Sequence, residues 1–285
     1  MELFYDERDD PIHEARGSQI LYWLDDLGAK PLSEAKPTDS GFFFAGARSI
    51  TDYRELIRRF PLIADRPEDR APLLRLDTVL DALASAGAEL PQPCTWRLPL
   101  DATLPEELTF PLFVRTAETS WKRGGRQGRV TNLKELEAEA SELRRHFGWD
   151  ALILAREWLE LAPAGDGRHG PIPQEVRVWI VDGRPVAWSF HYMHLCPNPQ
   201  GFPLSEADLS MLADYGSRVG SAFRSRLVAA DFARVKPGGW CFIEAGAGSC
   251  AGIAHEAVFK MVAERLRGNH RELEADKVGG PLPAV

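Results

Sequence analysis

The stretch EVRVWIV-DG-RPVAWSF, residues 175–190, constrains the fold of this chain more than any other. Asp182-Gly183 is a two-residue turn between runs rich in β-branched and aromatic side chains, the pattern of a tight β-hairpin. A second hairpin is expected in DFARV-KPGG-WCFIEA, residues 231–245, with KPGG as a four-residue loop. In that register Val235 faces Trp240 and Asp231 lies directly opposite Glu244. The two carboxylates then share a face with Ala233, Val235, Trp240 and Phe242. Like charges directly opposite on paired strands repel, and a hard divalent cation with oxygen ligands would relieve them. A solvated sheet end is the alternative, and a one-residue slip removes the pairing.

The glycines after Glu244 form G-x-G-x-x-A at Gly246, Gly248 and Ala251. A dinucleotide-binding turn needs a further parallel strand with an acidic residue about 20 positions on, and only a polar tail follows here. No G-K-[ST] follows the glycines, so the stretch is not a P-loop.

Helices are expected over 12–30, 51–60 (with Thr51 as N-cap), 71–87, 133–147 (capped by Asn132), 204–229 from near Ser205, and about 252–267. Short strands are expected at 41–50, 108–118 and 151–161. The first region reads as a small α/β unit, and after Pro105 the pattern changes to strands with hairpin turns. The expected domains are 1–70, then 71–268 with an internal boundary near 160, then a flexible tail, 269–285.

With 42 Asp and Glu against 34 Lys and Arg, the net charge is −8, which argues against a broad nucleic-acid footprint. The basic residues concentrate in one loop, TSWKRGGRQGRV (119–130), carrying Lys122, Arg123, Arg126 and Arg129. It reads as a solvated loop or as a mobile phosphate lid. No segment reaches 18 uninterrupted apolar residues, so no membrane span is expected. The acidic N-terminus has no apolar signal core, and the four cysteines are far apart. The expected location is therefore cytoplasmic. His191, His194 and Cys196 make a poor zinc set, because strand alternation puts His191 opposite the other two. No G-x-S-x-G elbow is present for a hydrolase.

In order, SAGAELPQPCTW (85–96), PLFVRTAETSWKRGGRQGRV (111–130), ILAREWLEL (153–161), EVRVWIVDGRPVAWS (175–189) and DFARVKPGGWCFIEAGAG (231–248) resemble the ATP-grasp superfamily. The resemblance covers about 71–268 and is strongest to the clade named for two arginines and a lysine. It implies two α+β subdomains clasping ATP, with Mg2+, and a small-molecule or peptide substrate whose identity it does not give. It places Arg115 where many members have a phosphate-binding lysine, and Lys122 in the loop over the triphosphate. Arg177 would face the same cleft. The linker Glu157, Trp158 and Leu159 would meet adenine with Arg156 beside it, and Asp231 and Glu244 would hold the metal. Many members carry asparagine two residues after the metal glutamate; here that residue is Gly246.

From the residues alone, Arg115 and Arg177 have a structural reading too, since Glu175 shares a strand face with Arg177. Of Arg156 and Glu157, only one can face the cleft. The activity implied is an ATP-dependent ligase forming an acyl phosphate. The alternatives are another phosphoryl or nucleotidyl transfer on the same fold, or a non-catalytic ATP-binding protein.

Overall fold

A computed structural model describes residues 2–6, 27–44, 50–62, 65–98, 100, 105, 107–118, 128–167, 170–193, 195–251 and 255–268. The helix expected over 12–30, the basic loop with Lys122, His194 and the tail 269–285 lie wholly or largely outside these residues.

The N-terminal strands β1 (Glu2–Tyr5), β2 (Lys30–Pro31) and β3 (Gly41–Phe44) form a parallel sheet in the order β2-β1-β3. Helix α1 (Ile50–Arg59) lays Tyr53 and Leu56 on it, beside the stacked rings of Phe4 and Phe43. Gly41 is required there: a Cβ would sit 2.5 Å from the Phe4 ring. Of the strand expected over 41–50, Gly41–Phe44 is β3, residues 45–49 lie outside the described residues, and Ile50 already belongs to α1. Thr51 lies inside α1, so it is not the N-cap.

The single helix expected over 71–87 is instead α2 (Pro67–Arg70), a 3-10 turn at Ala71–Leu74, and α3 (Leu76–Ser85). Arg75 is extended (φ −139°, ψ 136°) and breaks the helical run, and its guanidinium makes two 3.0 Å bonds to Asp77. The apolar spacing of the segment survives because both pieces cover the same core.

A small antiparallel sheet follows. It contains β4 (Thr95–Leu98), β5 (Leu112–Thr116), β6 (Arg129–Val130) and β7 (Ile153–Glu157), in the order β4-β7-β5-β6. One face is covered by α4 (Leu133–Phe147), whose Leu136, Ala140 and Leu143 pack on Leu112, Val114, Ile153 and Ala155. The Asn132 side chain accepts from Glu135 N–H and caps α4, as expected. The other face carries Arg115 and Arg156 and is turned toward the rest of the chain.

A two-stranded unit, β8 (Pro163–Gly167) with β9 (Gly170–Pro173), leads into the main antiparallel sheet. That sheet contains β10 (Glu175–Val181), β11 (Arg184–Phe190), β12 (Leu227–Arg234) and β13 (Trp240–Ala247), in the order β11-β10-β12-β13. One face packs against α3 and against α5 (Glu206–Ser221), capped by Ser205. Gly220 is needed at that contact, where a Cβ would fall 2.3 Å from the Gly183 carbonyl oxygen. The opposite face meets α6 (Glu256–Leu266) and the N-terminal sheet through Trp179, Val181 and Ala229.

Helix α5 ends at Ser221, and Leu227 already begins β12, which corrects the helix expected through 229. Both faces of β12 are covered, so seven of its residues are buried in succession and no alternation marks it as a strand. Among the described residues no helix is long and apolar enough to cross a membrane.

Candidate active site between the two sheets

The β12–β13 hairpin sets the geometry. Its turn is one residue longer than expected, so Arg234 pairs with Trp240 and Phe232 with Phe242. A bulge at Ile243 then restores the original count, and Asp231 does lie opposite Glu244. The consequence is a correction of faces. Trp240 and Phe242 point into the core with Phe232, and the carboxylates of Asp231 and Glu244 occupy the other side. Under strict alternation Trp240, Phe242 and Glu244 would all share one face.

Arginines meet these carboxylates. Arg177, on β10 directly opposite Asp231, donates from Nε to Oδ1 and from Nη2 to Oδ2, both at 2.7 Å. This is a bidentate pair between side chains 12% and 3% exposed. Arg115 reaches across from β5 and donates from Nη1 to Glu244 Oε2 at 2.5 Å. Burial disfavours the charge on Glu244, but Arg115 and Arg177 outweigh it and hold the carboxyl below the ordinary glutamate range. Burial also disfavours the charge on Arg177, yet Asp231, Glu244 and Glu175 together raise its pKa.

Arg156 closes the same gap from β7. Its Nη1 donates to the Ile243 carbonyl at 2.7 Å, and its Nε donates to Thr95 Oγ1 at 3.2 Å. The bulge leaves Ile243 without a paired residue on β12, and the guanidinium supplies its carbonyl with a donor. Arg156 is 3% exposed and its Nη2 is buried without a partner among the described residues. Burial and the neighbouring Arg115 lower its pKa to about 10, so it stays charged at neutral pH. Of the alternatives Arg156 and Glu157, Arg156 faces the cleft and Glu157 is exposed.

The linker after β7 ties the two sheets together. Glu160 O accepts from Lys236 N–H, Ala162 N–H donates to Arg234 O, and Leu161 bridges Val235. Glu157 N–H is taken by Cys94 O and Trp158 N–H by Pro111 O. Of the three linker residues, only Leu159 has an amide that donates to no backbone carbonyl among the described residues. The Arg129 guanidinium lies over the Trp158 ring, 5.3 Å from its centroid.

Sequence reasoning missed a third acidic group. Glu175, His191 and Asp231 bring ligand atoms within 4.8 Å of one another, and Tyr192 donates its hydroxyl to Glu175 at 3.2 Å. Burial, then Glu175 and Asp231, push the Tyr192 phenol well above its usual range. The available signal was the shared face of Glu175 and Arg177, which sequence analysis used only to pair those two.

Arg115, Arg156, Arg177, Asp231 and Glu244 are thus brought together between the sheets. The linker Glu157–Leu159 lies at the end of β7, and Lys122 lies outside the described residues. An oxygen-donor pair on adjacent strands suits a magnesium ion. Gly246 leaves open space, since a Cβ there would have only the Leu73 carbonyl oxygen, at 3.8 Å, nearby.

Solved structures share this architecture. The D-alanine–D-alanine ligase of Bacillus anthracis, complexed with ATP, superposes with a TM-score of 0.59 at 16% identity. The superposition covers 93% of this chain and 96% of that one. A RimK-domain ATP-grasp protein of Sphaerobacter thermophilus gives a TM-score of 0.60 at 14% identity, covering 94% and 100%. The VanG D-Ala:D-Ser ligase of Enterococcus faecalis gives 0.55 at 14%, covering 81% and 72%. No curated protein matches the chain in sequence. One family model does match, over residues 89–266, more than half of the chain. It describes an ATP-grasp domain, family 3 of the clade named for two arginines and a lysine. Those residues hold both arginine-bearing sheets and both facing carboxylates, and the chain belongs to that third family of the clade.

Proposed function

We propose that this protein is an ATP- and magnesium-dependent ligase that activates a carboxylate as an acyl phosphate for attack by an amine or similar nucleophile. The observation that carries the reading is the opposition of Arg115, Arg156 and Arg177 to Asp231 and Glu244 between two sheets. Two of the similar solved structures are named as ligases, and one of them holds ATP.

In this reading adenine lies against the linker Glu157–Leu159, where the Leu159 amide is the donor on offer. Lys122 and Arg115 take the phosphates. A carboxylate oxygen of the substrate attacks the γ-phosphorus, the bond to the β–γ bridging oxygen breaks, and ADP leaves. The nucleophile then forms a bond to the acyl carbon, the C–O bond to phosphate breaks, and the nucleophile's proton passes to solvent. Arg177, a rigid fork of donors, orients the acyl phosphate. Bound magnesium would neutralise charge on the transferring phosphoryl, and Asp231 and Glu244 would hold it. Both carboxylates are engaged by arginine here, so accepting the ion means exchanging one cation for another. No side-chain nucleophile is needed, because the work is positioning and charge stabilisation.

Release of ADP and phosphate, measured across a panel of amino acids and peptides, tests the proposal. Release with at least one acceptor is expected; none with any acceptor would sink the ligase reading. Gly246 supports a second reading, a non-catalytic ATP-binding protein, since that position supplies no side-chain ligand. That reading predicts thermal stabilisation by ATP and magnesium without turnover.

A further inference from the structure

Beyond the inter-sheet cleft, a pocket of about 450 Å³ lies at the edge of the main sheet, lined by Trp188, Ser189, Phe190, Met193, Phe202 and His255 among others. Its size is that of a small-ligand site. Strand β11 is the last strand of the sheet. His191 N–H donates to Glu175 O, which fixes the hydrogen-bonded pairs of this ladder at 191/175 and 189/177. By alternation the backbone N–H and C=O groups of Trp188 and Phe190 point away from β10, toward the pocket.

Two side-chain groups in the lining have no hydrogen-bond partner among the described residues. Trp188 is 5% exposed, and its indole N–H is buried without an acceptor. The His255 Nδ1 is likewise buried and unpartnered, and His255 stands at the N-terminus of α6 without making a capping bond. Aromatic walls thus surround groups that want a hydrogen-bonding ligand. The pocket also adjoins the reacting centre: Ser189 sits directly opposite Arg177, the bidentate partner of Asp231.

The geometry points to the β11 edge and this pocket as the acceptor site, taking an amino acid or short peptide in extended form. The peptide backbone pairs with Trp188 and Phe190, as when an added strand joins a sheet edge. An apolar or aromatic side chain packs against Met193, Pro199 and Phe202 on the pocket wall, and a ligand oxygen accepts from Trp188 Nε1. The assignment of this ligand as the acceptor rests on the ligase reading; its binding does not.

Calorimetric titration of the full chain with the dipeptides Gly-Phe and Gly-Gly tests this, with Mg-ATP titrated in parallel. Gly-Phe is expected to bind at least tenfold more tightly than Gly-Gly. Trp188→Phe, which keeps an aromatic ring and removes the N–H, is expected to weaken Gly-Phe about fivefold. Asn198→Trp, an exposed rim position, is expected to block Gly-Phe, and both variants should leave the ATP affinity unchanged. Equal binding of the two dipeptides, or Gly-Phe binding unaltered by Asn198→Trp, overturns the site. Nucleotide binding with no Gly-Phe binding overturns it too and leaves the ligase reading standing. Gly-Phe binding without nucleotide binding upholds the site and defeats that reading instead.

Discussion

Asp231→Asn is the sharpest perturbation of the cleft. Asp231 and Arg177 are joined by two 2.7 Å bonds and are nearly excluded from water. Removing one partner of a buried ion pair strands the other charge and typically costs about 3–5 kcal/mol. Asparagine can still accept one bond from the guanidinium, so the lower end, about 3 kcal/mol, applies. For a chain of this size each kcal/mol lowers the melting temperature by about 2–4 °C, so a fall of about 6–12 °C is expected. The assay is thermal unfolding followed by the fluorescence of the eight tryptophans, with and without ATP and magnesium. The variant should also lose the magnesium-dependent part of its stabilisation by ATP. A melting temperature within about 1 °C of the parent would refute the buried-pair account. An unchanged magnesium dependence, in this variant and in the double variant with Glu244→Gln, would remove the metal assignment.

Two further outcomes follow from the surroundings of the cleft. Glu244 has a folded-state pKa below its unfolded value of about 4.3, so its contribution to stability is complete above that value and fades as pH falls through the folded pKa. The difference in melting temperature between the parent and Glu244→Gln should therefore shrink below about pH 4; a difference independent of pH contradicts the Arg115 pairing. Cys94 is exposed, whereas burial, offset in part by Arg156, pushes the Cys241 thiol up to about 11. A thiol reagent near neutral pH should label Cys94 and spare Cys241. Mg-ATP should slow the labelling of Cys94, whose backbone is bonded to Glu157 in the linker; unaltered labelling would count against adenine at that linker.

Much of the cleft was legible because sheets announce themselves in pairs. The Asp182-Gly183 turn fixes one hairpin outright, and the facing of Asp231 and Glu244 follows from the length of the second. That facing emerged despite a wrong register, because a longer turn and a bulge cancel. Bulges leave little local trace in a sequence, so the assignment of Trp240 and Phe242 to the core could not be read from alternation. Strand β12 was hidden for a different reason. Burial on both faces erases the period of two, and its first residues then extend the apolar run of α5. The arginine contacts between sheets join residues 87 and 129 positions apart, which no local pattern encodes.

The bulge at Ile243 also decides what holds the two sheets together. At one end of the interface Arg156 on the Ile243 carbonyl and Arg115 on Glu244 join the small sheet to β13 through side chains, beside one backbone bond from Phe242 N–H to the Pro91 carbonyl ahead of β4. At the other end the linker is stitched to the β12–β13 tip by backbone bonds at Glu160, Leu161 and Ala162. Side-chain contacts to charged groups can be traded for contacts to a charged ligand, while backbone bonds have no such substitute. Of these contacts the two arginine ones are therefore those that a phosphate chain could take over with its own charge.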